Sequence, residues 1–334
     1  MARTPGHAFF VSEGLVSGMN DGNSNNHTRD WSAYWSTGAL TSLSEDFAGV
    51  YDGEIAGFWH DQCRALARQA SIADLCSGNG AVALLIADWA ARHARQWKIA
   101  AVDAADLDPG LIAAAWPQYR KQVERIAWHG RQPVETFKAG AQSHDLLTSQ
   151  YGLEYTNWRA SARQVVRLLK PGGRLAMINH APDTDIMATM KEEQADYRRL
   201  DDSGATGLMA SWLAGATGLD ELRGQLQAPE RVLQQQAERT GSPLLGSVAN
   251  TMGALRRAPR EQIEPRRAGL SQWLEHLAAA WGRLDNMIAV NLAIQARPDW
   301  INVFVEAGMR LTVDKPVLYA GRHMAGRARV LVKT

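Results

Sequence analysis

Between about residues 70 and 182, short apolar runs alternate with longer stretches whose apolar positions recur at three- and four-residue steps. The alternation predicts strands at 72–76, 98–103, 124–129, 144–149 and 173–180, with helices at 80–95, 109–122 and 158–169. Pro109 suits the first turn of its helix, and Pro171-Gly172-Gly173 is a stop for the last one. Strand and helix in strict turn imply an α/β fold with a parallel, doubly wound sheet, whose ligand crevice lies at the carboxyl ends of the strands.

The flanks carry different patterns. Residues 298–308 read as a short helix with a glycine stop, followed by strand-like runs at 309–320 and 327–333, as an antiparallel hairpin would give. Residues 183–297 hold almost no strand character. Near their end Leu270, Leu274, Leu277, Trp281, Leu284 and Ile288 form a nearly heptad stripe. That stripe fits a helical insertion serving as internal core, as a cap over the substrate or as a dimer contact. Residues 1–27, rich in Gly, Ser and Asn, are expected to be disordered. In 28–69, Trp31, Tyr34, Trp35, Phe47, Tyr51, Phe58 and Trp59 crowd together. These aromatics read either as packing onto the core or as a helical lid over a ligand. The expected organisation is therefore a disordered 1–27, a lid at 28–69, a ligand-binding core at 70–182, an insertion at 183–297 and completion of the sheet at 298–334.

Composition narrows the partners. In 334 residues, 36 Lys and Arg stand against 35 Asp and Glu, giving no bulk attraction to nucleic acid or to an anionic membrane. Two cysteines without metal-ligand spacing leave no disulfide framework and no metal site, and suit a reducing compartment. No apolar run approaches a membrane span, and residues 1–20 lack the pattern of a signal peptide. A cytoplasmic chain is expected. The arginines at 256, 257, 260, 266 and 267 are interleaved with Glu261 and Glu264, and read as a solvated surface first and an anion site second.

Candidate chemistry concentrates in Ser71-Ile-Ala-Asp-Leu-Cys-Ser-Gly-Asn-Gly-Ala-Val-Ala83. A strand ending in Asp74 runs into a glycine turn and then a helix, the local structure that cradles a nucleotide cofactor. Gly78-Asn-Gly80-Ala-Val-Ala83 fits the dinucleotide fingerprint G-x-G-x-x-G/A, with Asp103 the required distance on, so an NAD(P)-binding oxidoreductase is one reading. The second begins at the same place. Asp74-Leu-Cys76-Ser-Gly78-Asn-Gly80 resembles motif I of the class I S-adenosylmethionine methyltransferases, D/E-x-G-x-G-x-G, with Cys76 at the first glycine. Lys98-Ile-Ala-Ala-Val-Asp103 is similar to that family's second strand, His144-Asp-Leu-Leu-Thr-Ser-Gln-Tyr-Gly152 to its fourth, and Leu168-Leu-Lys-Pro-Gly-Gly-Arg-Leu175 to its helix-to-fifth-strand turn. Together with the C-terminal hairpin, these place the chain's resemblance in that superfamily over 70–182 and 298–334.

The resemblance implies a seven-stranded sheet, S-adenosyl-L-methionine as cofactor and methyl transfer as activity. It implies that Cys76, Ser77, Gly78 and Gly80 lie against the cofactor, that Asp74 faces its ammonium group, and that Asp103 beside Ala104 holds its ribose, Asp106 being the other candidate. Gly130 and Arg131 would border the adenine, where the family's usual acid is missing, and Ser149 and Gln150 would close the fourth strand on the cofactor. Tyr151, Glu154 and Tyr155 follow that strand and His180 ends the fifth. Tyr151, Glu154 and His180 are candidate catalytic groups, His180 as a general base, beside the plainer reading of ordinary loop residues. Asp145 is expected to be structural. The fourth strand does not end in (D/N/S)-P-P-(Y/F) and no Pro-Cys pair is present, which leaves O-, N- or C-methylation of a small-molecule acceptor. A non-catalytic cofactor-binding or protein-interaction module is the remaining alternative.

Overall fold

The computed structural model describes residues 21–42, 47, 49–182, 185–321 and 323–334. Strands β1 (Gln69–Leu75), β2 (Gln96–Val102), β3 (Ile126–His129), β4 (His144–Gln150) and β5 (Leu169–Asn179) run parallel. β6 (Met309–Tyr319) and β7 (His323–Lys333) form an antiparallel hairpin, and β7 pairs antiparallel with β5. The sheet order is β3-β2-β1-β4-β5-β7-β6. The order reverses between β1 and β4, so the carboxyl ends of those two strands open the crevice.

Helices cover both faces. On one side α2 (Gly53–Arg64) and α3 (Ala81–Arg92) bury Ile55, Trp59, Leu84 and Ile86 against the sheet. On the other, α6 (Trp158–Leu168) and α14 (Asn302–Glu306) bury Val165, Leu168 and Phe304. Asn157 caps α6 by accepting from the Ala160 N–H.

The structure differs locally from the sequence pattern in three places. The predicted helix 109–122 breaks into α4 (Pro109–Ala115), a 3-10 turn (Pro117–Tyr119) and α5 (Arg120–Val123), because Pro117 forces Trp116 out of the helical region, to φ −128 and ψ 71. β5 starts at Leu169 rather than 173: Leu169 pairs with His144, the Pro-Gly-Gly is absorbed as a bulge, and pairing resumes at Leu146 and Arg174. Of residues 1–27, expected to be disordered, 1–20 lie outside the described residues, whereas 21–27 belong to helix α1 (Asp21–Trp35).

The insertion is helical throughout its described length. It comprises α7 (Asp185–Asp202), α8 (Ala205–Leu213), α9 (Leu219–Gln225), α10 (Gln227–Thr240), α11 (Pro243–Arg257), α12 (Arg260–Ile263) and the 30-residue α13 (Arg267–Ala296). It has its own core around Trp212, Leu222, Leu233, Leu245 and Met252, into which Leu284 and Ile288 of the stripe are buried. Arg256 and Arg257 both pair with Glu230, as a charge-balanced surface would. Helix α1 lies along α13: the Asp30 carboxylate fits against the bare α-carbon of Gly282, and the Arg283 guanidinium sits 4.3 Å from the Tyr34 ring centre.

Candidate active site

A cavity of about 450 Å³ opens where β1, β2 and β4 end. Its floor is Asp74, Cys76 and Ser77 from the glycine turn, Asp103, Ala104 and Ala105 from the end of β2, and Gln150 from β4. The sheet register places Asp74 beside Thr148. The Thr148 hydroxyl donates to Asp74 Oδ1 at 2.8 Å and the Ala83 N–H faces the carboxylate, while Oδ2 makes no hydrogen bond of full geometry. Asp74 is 1% exposed, and burial raises its pKa to about 7. Asp103 accepts the Gly78 N–H on Oδ2 at 2.7 Å and the Ala105 N–H on Oδ1 at 2.8 Å. Burial raises its pKa too, against those two bonds.

The two glycines serve a different neighbour from the one expected. Both are left-handed, at φ 51 for Gly78 and 78 for Gly80, but neither lines the cavity. A Cβ on Gly78 would run into the Trp35 indole, and one on Gly80 into the Trp128 indole. The ligand face of the turn is carried by Cys76 and Ser77. Cys76, at the first glycine position of the motif, keeps the backbone that position demands, φ 53.

The wall above the floor is aromatic: Trp31, Trp35, Tyr51, Tyr151 and Tyr155. Trp31 and Trp35 stack at 5.6 Å between ring centres, and Trp31 meets Tyr155 edge-on. His27, Thr28, Trp31 and Trp35 all come from α1, so the expected aromatic segment does border the cavity. Pro133, Val134 and Glu135 close the side nearest β3. Glu135 lies beyond the stretch that the sequence pattern singled out; its only hint was an acid a few residues past the third strand.

Other expected residues fall elsewhere. Gly130 packs on the backbone of Ala105 and Leu107, and Arg131 pairs at the surface with Asp106, so neither borders the cavity. Ser149 is buried beneath it, where its hydroxyl accepts the Leu153 N–H. Glu154, fully buried, accepts the His180 N–H at 2.8 Å and the Asn179 amide at 3.2 Å, and holds the end of β5 instead of facing a ligand. His180 stands one layer back from the cavity, between Tyr151, on which its ring stacks, and Tyr155, whose hydroxyl lies 2.9 Å from Nε2. Burial lowers the His180 pKa, so its ring is neutral near pH 7. Asp145 is bound by Lys170 and the Ser71 N–H at the far end of β4, a structural role. No cluster of metal-ligating side chains occurs among the described residues.

The sheet order, with one antiparallel strand set between β5 and β6, and a cavity at the glycine-turn switch point define the class I methyltransferase fold. Residues 73–177 match the family described as "Methyltransferase domain". Residues 73–177 therefore match a methyltransferase domain set in a class I methyltransferase fold, a superfamily whose cofactor is S-adenosyl-L-methionine. Similar solved structures include the YcgJ protein from Bacillus subtilis (20% identity, 43% of this chain and 58% of that one, TM-score 0.31). Also similar is 1,6-didemethyltoxoflavin-N1-methyltransferase from Burkholderia thailandensis (15%, 49% and 66%, TM-score 0.38). A third is geranyl diphosphate C-methyltransferase from Streptomyces coelicolor (12%, 46% and 66%, TM-score 0.36). Each match spans less than two thirds of the other chain. No curated protein matches the sequence.

The cavity suits this cofactor. S-adenosylmethionine brings a sulfonium and an ammonium, and three carboxylates with aromatic rings line the space while none of its described lining residues is Lys or Arg. A dinucleotide would instead bring a pyrophosphate to an α-carbon face that Trp35 covers.

Proposed function

We propose that the protein transfers the methyl group of S-adenosylmethionine to a small-molecule acceptor inside the aromatic cavity. The observation that carries this reading is Asp74: a buried carboxylate with one oxygen lacking a hydrogen bond of full geometry, on a cavity floor that offers acids and rings to a cationic ligand. Asp74 would meet the ammonium group, Asp103 the ribose diol, and Glu135 the adenine side.

When bound, the cofactor would supply an electrophilic methyl group on a sulfonium, with a neutral thioether as the leaving group for an oxygen, nitrogen or carbon nucleophile. The chain's part is alignment and dryness, which account for most of the acceleration such a displacement needs. α1 excludes water, and the rings of Tyr151 and Tyr155 fix the acceptor's plane. Where the acceptor releases a proton, the Tyr155 hydroxyl takes it while passing its own to His180 Nε2, already in hydrogen-bond contact. Glu154 positions His180 through its backbone and is not itself catalytic. Among the described residues no helix is long and apolar enough to cross a membrane, and both cysteines are free, which favours a reducing compartment.

Calorimetric titration with S-adenosylmethionine, S-adenosylhomocysteine and NADH tests the reading. Micromolar binding of the two sulfur nucleotides alone is expected, with affinity falling tenfold or more in Asp103→Ala. Binding of NADH alone would overturn it.

A further inference from the structure

Gln150 has a fixed orientation. The Trp59 indole, completely buried, donates to Gln150 Oε1 at 2.7 Å. An indole nitrogen can only donate, so the amide oxygen must face Trp59 and the NH2 must face away from it. That Nε2 is buried and has no partner, on a residue 8% exposed that lines the cavity. A buried donor left unpaired is destabilising, so the site gains by receiving an acceptor atom there. The neighbouring charges restrict what that atom belongs to. Asp74, Asp103 and Glu135 line the same cavity, and none of its described lining residues is Lys or Arg to offset a second anion. Flat rings, Trp31, Tyr151 and Tyr155, line the same cavity.

We infer that the methyl acceptor is a planar ring compound, uncharged or cationic, whose carbonyl oxygen or ring nitrogen takes a hydrogen bond from Gln150 Nε2. The inference rests on the methyltransferase reading and sharpens it: carboxylated and phosphorylated acceptors are refused. Trp59 is a positioning residue, since it acts only by turning the amide.

The test is calorimetry on protein saturated with S-adenosylhomocysteine, using naphthalene, quinoline, 4-(aminomethyl)quinoline and quinoline-4-carboxylate as probes. Quinoline should bind at least tenfold tighter than naphthalene, which lacks the acceptor atom, and at least tenfold tighter than the carboxylate; the aminomethyl cation, whose charge sits on the side-chain ammonium and whose ring nitrogen stays free to accept, should bind as well as quinoline. Gln150→Glu keeps an oxygen for Trp59 and removes the donor. Measured on protein still saturated with S-adenosylhomocysteine, it should weaken quinoline about tenfold and leave naphthalene unchanged. Carboxylate binding equal to that of quinoline, no binding by any of the four, or a Gln150→Glu loss confined to S-adenosylhomocysteine would each overturn the inference. Should that variant fail to fold, the wild-type series decides alone. Wild-type protein that does not bind S-adenosylhomocysteine at all overturns the parent reading instead.

Discussion

Cys76 and Gly152 share one small space: a Cβ on Gly152 would collide with the Cβ of Cys76. The sequence carries a side chain where the motif has glycine, and the missing volume reappears 76 positions later in a residue with none. Cys76 also sits at φ 53, a conformation that costs an L-residue about 1–2 kcal/mol. Cys76→Gly should therefore be tolerated, within about 1 kcal/mol of wild type. Gly152→Ala should lose about 1–3 kcal/mol to overpacking, and the double variant should recover most of that. Denaturant melts of the three proteins measure it. Tyr151, at φ 51, is a second strained wall residue, so the cavity collects strain as ligand sites tend to. Asp74 adds a pH dependence. Its pKa, raised from 3.8 to about 7 by burial, means that the stability it lends is full below 3.8 and lost as pH rises through 7. Asp74→Asn should thus be more thermostable than wild type above pH 7 and similar at pH 4. Cofactor binding runs the other way. The anion is needed for a cationic ligand, so wild-type affinity should rise several-fold from pH 6 to pH 8, and the Asn variant's should stay flat.

Among elements, the strands between 70 and 182 were legible because each apolar run is bounded by Gly, Pro or acid, and the paired C-terminal runs read as a hairpin for the same reason. Boundaries moved where a distant partner intervened: β5 reaches back to Leu169 only because His144 offers pairing there. The floor of the site was legible at Asp74, Cys76, Ser77, Asp103, Ala104 and Gln150, whose places follow from strand ends. Glu154 and His180 were not, since chain position says they follow a strand but not that Glu154 turns inward to hold the backbone of His180. Helix α1 was half legible: the Trp31–Trp35 spacing was visible, but its docking on α13 depends on Gly282, an unremarkable glycine within a long helix. Filling that notch tests the contact. Gly282→Ala pushes on the Asp30 carboxylate, which is 6% exposed. The variant should expose residues 28–42 to limited proteolysis and speed S-adenosylhomocysteine release about tenfold in stopped-flow, with the α/β core unchanged.

At the scale of the whole molecule, a net charge of +1 hides a strongly uneven field. Balance across the surface arises from pairs such as Arg256 and Arg257 with Glu230, while the cavity gathers Asp74, Asp103 and Glu135 without a cation among its described lining residues. Composition could speak to bulk partners; only the fold brings three acids, scattered over 62 positions of the chain, to one hollow. The sheet order has a further consequence, in time rather than space. β7 is made after both β5 and β6, yet it lies between them in the sheet. During synthesis β5 must wait, its edge unpaired, while more than a hundred residues of helical insertion and then β6 emerge. The insertion, with a core of its own, can fold first and keep that edge apart from other nascent chains until residues 323–333 close it.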